Sequence, residues 1–154
     1  MFNAVLGLAA LALAACQSAP EASQPTPSAP ALAPASSAIS DQSVAVTPPD
    51  KAVPTKYAAF SGIWAGRPEG MDETKLTVQT ISSNGTVTAT YAWGNLGDNS
   101  PGEAAGTGRI VGSTLKLKRL PNGADVNFAM QPDGALAGTV TLAGQTYTGV
   151  LVKQ

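Results

Sequence analysis

A single cysteine, Cys16, is the most reactive side chain in this 154-residue sequence, and no histidine accompanies it. Imidazole most often moves protons near neutral pH and most often ligates zinc. Its absence excludes the usual Ser–His and Cys–His pairs, so the chain reads as a non-enzyme with no catalytic residue, no metal and no cofactor. The other chemistry-bearing groups are the carboxylates of Glu69, Asp72 and Glu73, the cations of Lys116, Lys118 and Arg119, and the rings of Trp64, Tyr91, Trp93 and Tyr147. The carboxylates could serve acid–base work or bind calcium. Their spacing fits no EF-hand loop, and Gly66, Pro68 and Gly70 around them mark a solvated turn. Lys116 and Lys118 alternate with Leu115 and Leu117, so they share one strand face. That face could meet a phosphate or an acidic glycan, although exposed strand lysines more often serve to discourage edge-to-edge pairing. The rings could line a cavity for a small apolar ligand. Core filling is the favoured role, because eight strands enclose only enough space for side chains or one small ligand. Tyr91 and Trp93 share a face by period two and form the pair most worth testing.

The elements that must carry these groups fall into three parts, 1–15, 16–56 and 57–154. Ala4 to Ala15 is an uninterrupted apolar run, shorter than the roughly 20 residues a membrane-spanning helix needs. It has the length of a signal-peptide core. The run ends in Leu13-Ala14-Ala15-Cys16, which resembles the lipobox of bacterial lipoproteins at all four positions. The resemblance implies cleavage between Ala15 and Cys16, a thioether from the Cys16 sulfur to a diacylglyceryl group, and a mature chain beginning at Cys16. Several acyl chains, at about 0.8 kcal/mol per buried methylene, give a stable anchor. Such signals normally open with a basic stretch, and Met1-Phe2-Asn3 has none. Either the terminal amine alone supplies the charge or the true start lies elsewhere. Gln17 after the cysteine, where an enteric lipoprotein retained in the inner membrane carries aspartate, implies by analogy an outer-membrane protein of the bacterial envelope facing the periplasm.

Residues 17–56 are rich in proline, alanine, serine and threonine. Such a stretch cannot bury enough apolar surface to offset ordering entropy. It reads as a disordered tether biased towards polyproline II, which extends by about 3.1 Å per residue and so reaches on the order of 100 Å.

From Tyr57 the pattern changes to short alternating runs separated by turn dipeptides. Asn84-Gly85, Asn122-Gly123 and Asp133-Gly134 offer residues tolerant of positive φ, as tight hairpins demand, and Ala143-Gly144 is a weaker fourth. Between them lie Leu76-Thr77-Val78, Val87 to Tyr91, Leu115 to Lys118 and Val126 to Met130, each with one face to bury. Segments around Ile63, Ile110, Val140 and Val150 bring the expectation to about eight strands and no helix. Closure avoids exposed edges, so the predicted fold is all-β, a small antiparallel up-and-down barrel, with a β-sandwich as the alternative. The formal net charge is −1, and the charges balance after Tyr57, which excludes a nucleic-acid footprint.

Phe60-Ser61-Gly62-Ile63-Trp64 is similar to the glycine-x-tryptophan opening of calycin barrels, the group of lipocalins, avidins and bacterial metalloprotease inhibitors. The resemblance implies that Trp64 plugs one barrel end with a basic residue of the last strand, here Lys153, stacked on it. The expected function is a membrane-anchored envelope lipoprotein that presents a non-catalytic binding or structural barrel to a protein partner or a small apolar ligand. The alternative is a periplasmic protease inhibitor of the calycin-like lipoprotein type, inhibiting through the segment Pro54 to Phe60. That family usually carries a disulfide within the barrel, which this sequence lacks.

Overall fold

The computed structural model describes residues 44–95 and 100–154. One short helix, α1 (Thr55–Ala58), precedes eight strands: β1 (Gly62–Gly66), β2 (Thr74–Ile81), β3 (Thr86–Trp93), β4 (Gly102–Val111), β5 (Thr114–Leu117), β6 (Asp125–Met130), β7 (Leu136–Leu142) and β8 (Gln145–Lys153). Each strand pairs antiparallel with the next, and β1 closes on β8, giving an up-and-down barrel rather than a sandwich. Alternation drives this. Along β7, Leu136, Gly138, Val140 and Leu142 are buried or lie on the buried face, while Ala137, Thr139 and Thr141 are only half-buried. Val87, Ala89, Tyr91 and Trp93 on β3, Leu115 and Leu117 on β5, and Val126 and Phe128 on β6 complete most of the inward set. Each large apolar side chain buried this way is worth about 1.5–3 kcal/mol.

The hairpins correct one expectation about the turns. Gly85, Gly123 and Gly134 adopt positive φ, but Asn84, Asn122 and Asp133 before them do not. The Gly85, Gly123 and Gly134 amides donate to the carbonyls of Ser82, Leu120 and Gln131, three residues back. The Asn and Asp carbonyl or carboxylate oxygens instead accept from the amides two residues on, at Thr86, Ala124 and Ala135. Only glycine therefore needs the left-handed region, and the preceding side chain serves as a local acceptor. The Ala143-Gly144 hairpin is the tight two-residue turn: Leu142 pairs with Gln145, and both intervening residues have positive φ, 51° and 82°. The β4–β5 connection, Gly112-Ser113, is also a two-residue turn, with positive φ at the glycine alone.

Closure rests on a narrow seam. Only Trp64, Ala65 and Gly66 pair with Lys153, Val152 and Leu151, and the Glu69 amide extends the line by donating to Thr148 O at 2.9 Å. Backbones approach so closely here that a methyl on Gly66 would lie 2.2 Å from Val150 O, and one on Gly149 would lie 2.4 Å from Pro68 Cα.

The folded unit begins upstream of Tyr57, within the segment expected to be tether. The Thr47 amide donates to Gln79 O at 2.8 Å, Val53 belongs to the core, and α1 forms one turn capped by Pro54. Composition pointed to a tether because prolines dominate; tertiary contacts of Val53 and Tyr57 outweigh it. The four-residue helix is too short to leave a periodic signal. Cys16, Ala15 and the remainder of the expected signal and tether lie outside the described residues.

Candidate functional site

The aromatic residues converge on the barrel interior, in two groups. Trp64, at the middle of β1, is fully buried, and its indole N–H donates to Phe60 O at 2.9 Å. Lys153 lies opposite in register. Its ammonium sits 5.2 Å from the Trp64 ring centroid and donates to Ala59 O at 3.4 Å, so the last strand, the first strand and the chain entering it are tied at one point. The Lys153 ammonium over the Trp64 ring matches the stacking expected of the pair. The second group is Tyr91, Trp93 and Phe128. Tyr91 stacks on Trp93 with centroids 6.0 Å apart and meets Phe128 edge-on at 5.7 Å. The Trp93 indole donates to Ser100 O at 3.2 Å. Tyr147, the fourth ring, is half-buried beside Gly70, and its hydroxyl donates to Gln145 Oε1 at 2.5 Å.

Trp64, Tyr91, Trp93 and Phe128 fill the interior. Trp64, Tyr91 and Phe128 are each about 1% exposed, and Phe60 and Leu76 are wholly buried. At Gly138 an added methyl would already press on Leu151 Cδ1 at 3.0 Å and on the Phe128 ring at 3.4 Å. Among the described residues one buried side-chain polar atom lacks a well-formed hydrogen bond, the Tyr91 hydroxyl. Thr74 interacts with it closely enough to oppose part of the rise in its pKa, but Thr74 Oγ1 donates to Gly66 O at 3.4 Å. Burial pushes the Tyr91 phenol well above its ordinary tyrosine pKa. Phe128 was not singled out from the sequence. Its place opposite Gly138 on β7 and two residues from Val126 is the signal that could have found it.

The acidic loop does not gather its carboxylates around a centre. Asp72 accepts from Asn95 Nδ2 at 2.6 Å, and Glu69 and Asp72 are exposed. Glu73 is partly buried, which raises its pKa above the ordinary carboxylate value; nearby Arg67 and Lys75 oppose that rise. Among the described residues no three acidic, cysteine or histidine side chains come together as a metal site. In the loop from Gly94 to Gly106, β4 already begins at Gly102, and Asp98 lies outside the described residues.

The basic residues do gather. A groove of about 670 Å³ crosses the outer face of β4 and β5, and Lys116, Lys118 and Arg119 line it together with Arg109. Arg109 enters because Gly112-Ser113 folds β5 back so that Lys116 lies opposite it in register. A glycine–serine pair between two alternating runs is a two-residue hairpin signal, and it would have placed Arg109 beside the lysines. Arg119 is the tethered member: its Nε donates to Gly123 O at 2.9 Å, and its terminal nitrogen lies 3.8 Å from Asp125.

No family profile, curated protein or solved structure matches this chain.

Proposed function

We propose that this protein is a bacterial envelope lipoprotein, anchored through a lipid on Cys16, whose barrel is a non-catalytic module working through its outer surface. The observation that carries the choice between ligand carrier and surface module is the packed interior. Trp64, Tyr91 and Phe128 occupy the space a small apolar ligand would need, and even a methyl added at Gly138 would press on Leu151 and Phe128. A carrier barrel keeps an open, mostly apolar pocket; here the rings act as core. Anchoring is supported by the lipobox pattern Leu13-Ala14-Ala15-Cys16, and Gln17 favours the outer membrane facing the periplasm.

The inhibitor alternative gains no comparable support. It needs the segment Pro54 to Phe60 to enter a protease cleft in extended form. In the folded protein Thr55–Ala58 is helical, Phe60 is wholly buried, and Ala59 O accepts from Lys153.

Metabolic labelling with radioactive palmitate tests the anchor. The parent chain should incorporate label and Cys16→Ser should not; equal labelling of both defeats the reading. An environment-sensitive apolar dye tests the filled barrel: fluorescence should stay at the buffer level with the native protein, and saturable one-to-one binding would make it a carrier instead.

A further inference from the structure

We propose that the outer groove of β4 and β5 binds a linear anionic glycan, with Arg109, Lys116 and Lys118 holding its carboxylate, sulfate or phosphate substituents and Arg119 closing one end. Four of the nine basic residues of a chain with net charge −1 line this one groove. Arg109 and Lys116 are directly opposed, an arrangement of like charges that weakens a strand pair and gives the fold nothing. Arg109, Lys116 and Lys118 have no acidic partner within salt-bridge distance among the described residues, whereas Arg119 is positioned by Asp125 and Gly123 O. Three exposed, uncompensated cations beside a tethered fourth form a receptor for negative charge.

The geometry selects a chain-like partner with pendant charges. Lys116 and Lys118 are two residues apart on an extended backbone, about 6.6 Å, and Arg109 faces Lys116 across the ladder at about 5 Å. The charges therefore form a bent track, about 6.6 Å along β5 from Lys116 to Lys118 and about 5 Å across the ladder from Lys116 to Arg109. The Lys118 amide donates to Thr107 O, continuing the ladder, so β4 and β5 have no free backbone edge here on which an acidic peptide could add a strand. The site lies on the outer strand faces of β4 and β5. Two guanidinium groups, Arg109 and Arg119, supply planar forks suited to carboxylate, sulfate and phosphate. The acidic loop residues Glu69, Asp72 and Glu73 lie between β1 and β2, outside the groove lining.

The test is equilibrium binding of the full-length chain in nonionic detergent to heparin and polygalacturonate, with neutral dextran, polyglutamate and glycerol phosphate, the soluble headgroup of phosphatidylglycerol, as comparators. Both anionic glycans should bind at 50 mM salt and weaken at least about tenfold at 200 mM, as expected when several charges are neutralised. Lys116→Gln with Lys118→Gln should lower affinity at least about tenfold, with the melting temperature retained as the check on folding. Lys116→Arg with Lys118→Arg should restore it, and Lys51→Gln with Lys56→Gln, an equal loss of charge elsewhere, should leave it unchanged. The proposal fails if no glycan binds at 50 mM salt, if the two charge-loss pairs weaken binding equally, or if glycerol phosphate or polyglutamate binds more tightly than the glycans.

Discussion

Replacing Tyr91 by phenylalanine should make the protein more stable, although it removes a polar group from a well-packed site. The Tyr91 ring is held by Trp93 at 6.0 Å and Phe128 at 5.7 Å, and those contacts survive the substitution. What is lost is a hydroxyl enclosed without a well-formed hydrogen bond among the described residues. Burying such a group costs about 1–3 kcal/mol in proteins, and the small void left behind returns part of that. The net expectation is a gain of about 1 kcal/mol, or about 4–8 °C in Tm for a domain of this size. Urea unfolding followed by tryptophan fluorescence measures it directly. The same burial predicts a pH signature. The phenol pKa is raised in the folded protein above its ordinary value of 10.0, so the unfolded chain ionises first and the folded state binds the extra proton. Stability from this group is fully present below pH 10.0 and is lost as pH rises above it, at up to about 1.4 kcal/mol per pH unit. Tyr91→Phe should flatten that alkaline loss. A variant at least about 1 kcal/mol less stable than the parent, with an unchanged alkaline slope, would refute the reasoning, because it would mean that the hydroxyl is satisfied and stabilising.

Two further substitutions probe the turns and the seam. Ala143 adopts φ 51° in a two-residue hairpin, so Ala143→Asn should raise stability by about 0.5–1 kcal/mol, read as a shift in urea midpoint without a change in slope. Gly66→Ala drives a methyl to 2.2 Å from Val150 O and should cost about 2–3 kcal/mol, whereas Gly106→Ala meets nothing within 4 Å and should be neutral or favourable by about 0.5 kcal/mol; equal effects of the two in thermal melts would remove the seam argument.

Much of the barrel was legible because strand burial is a local property. An alternating run declares which face it will bury, and asparagine–glycine or aspartate–glycine declares where the chain must reverse. Leu76, Val87, Leu115 and Val126 therefore marked their strands without any partner being known. Trp64 and Lys153 were also paired from the sequence, through the likeness of Phe60 to Trp64 to a barrel opening. The packing of Tyr91 against Phe128 was not, since that contact joins strands distant in the chain.

The amino-acid sequence by itself determined the class of fold, the number of strands and the absence of imidazole chemistry, since composition and period-two patterning act within a few residues. Only the tertiary structure decided that residues 44–56 begin the folded unit and that Trp64, Tyr91, Trp93 and Phe128 belong to one core. Those outcomes depend on register and closure, which bring together groups that no local pattern relates.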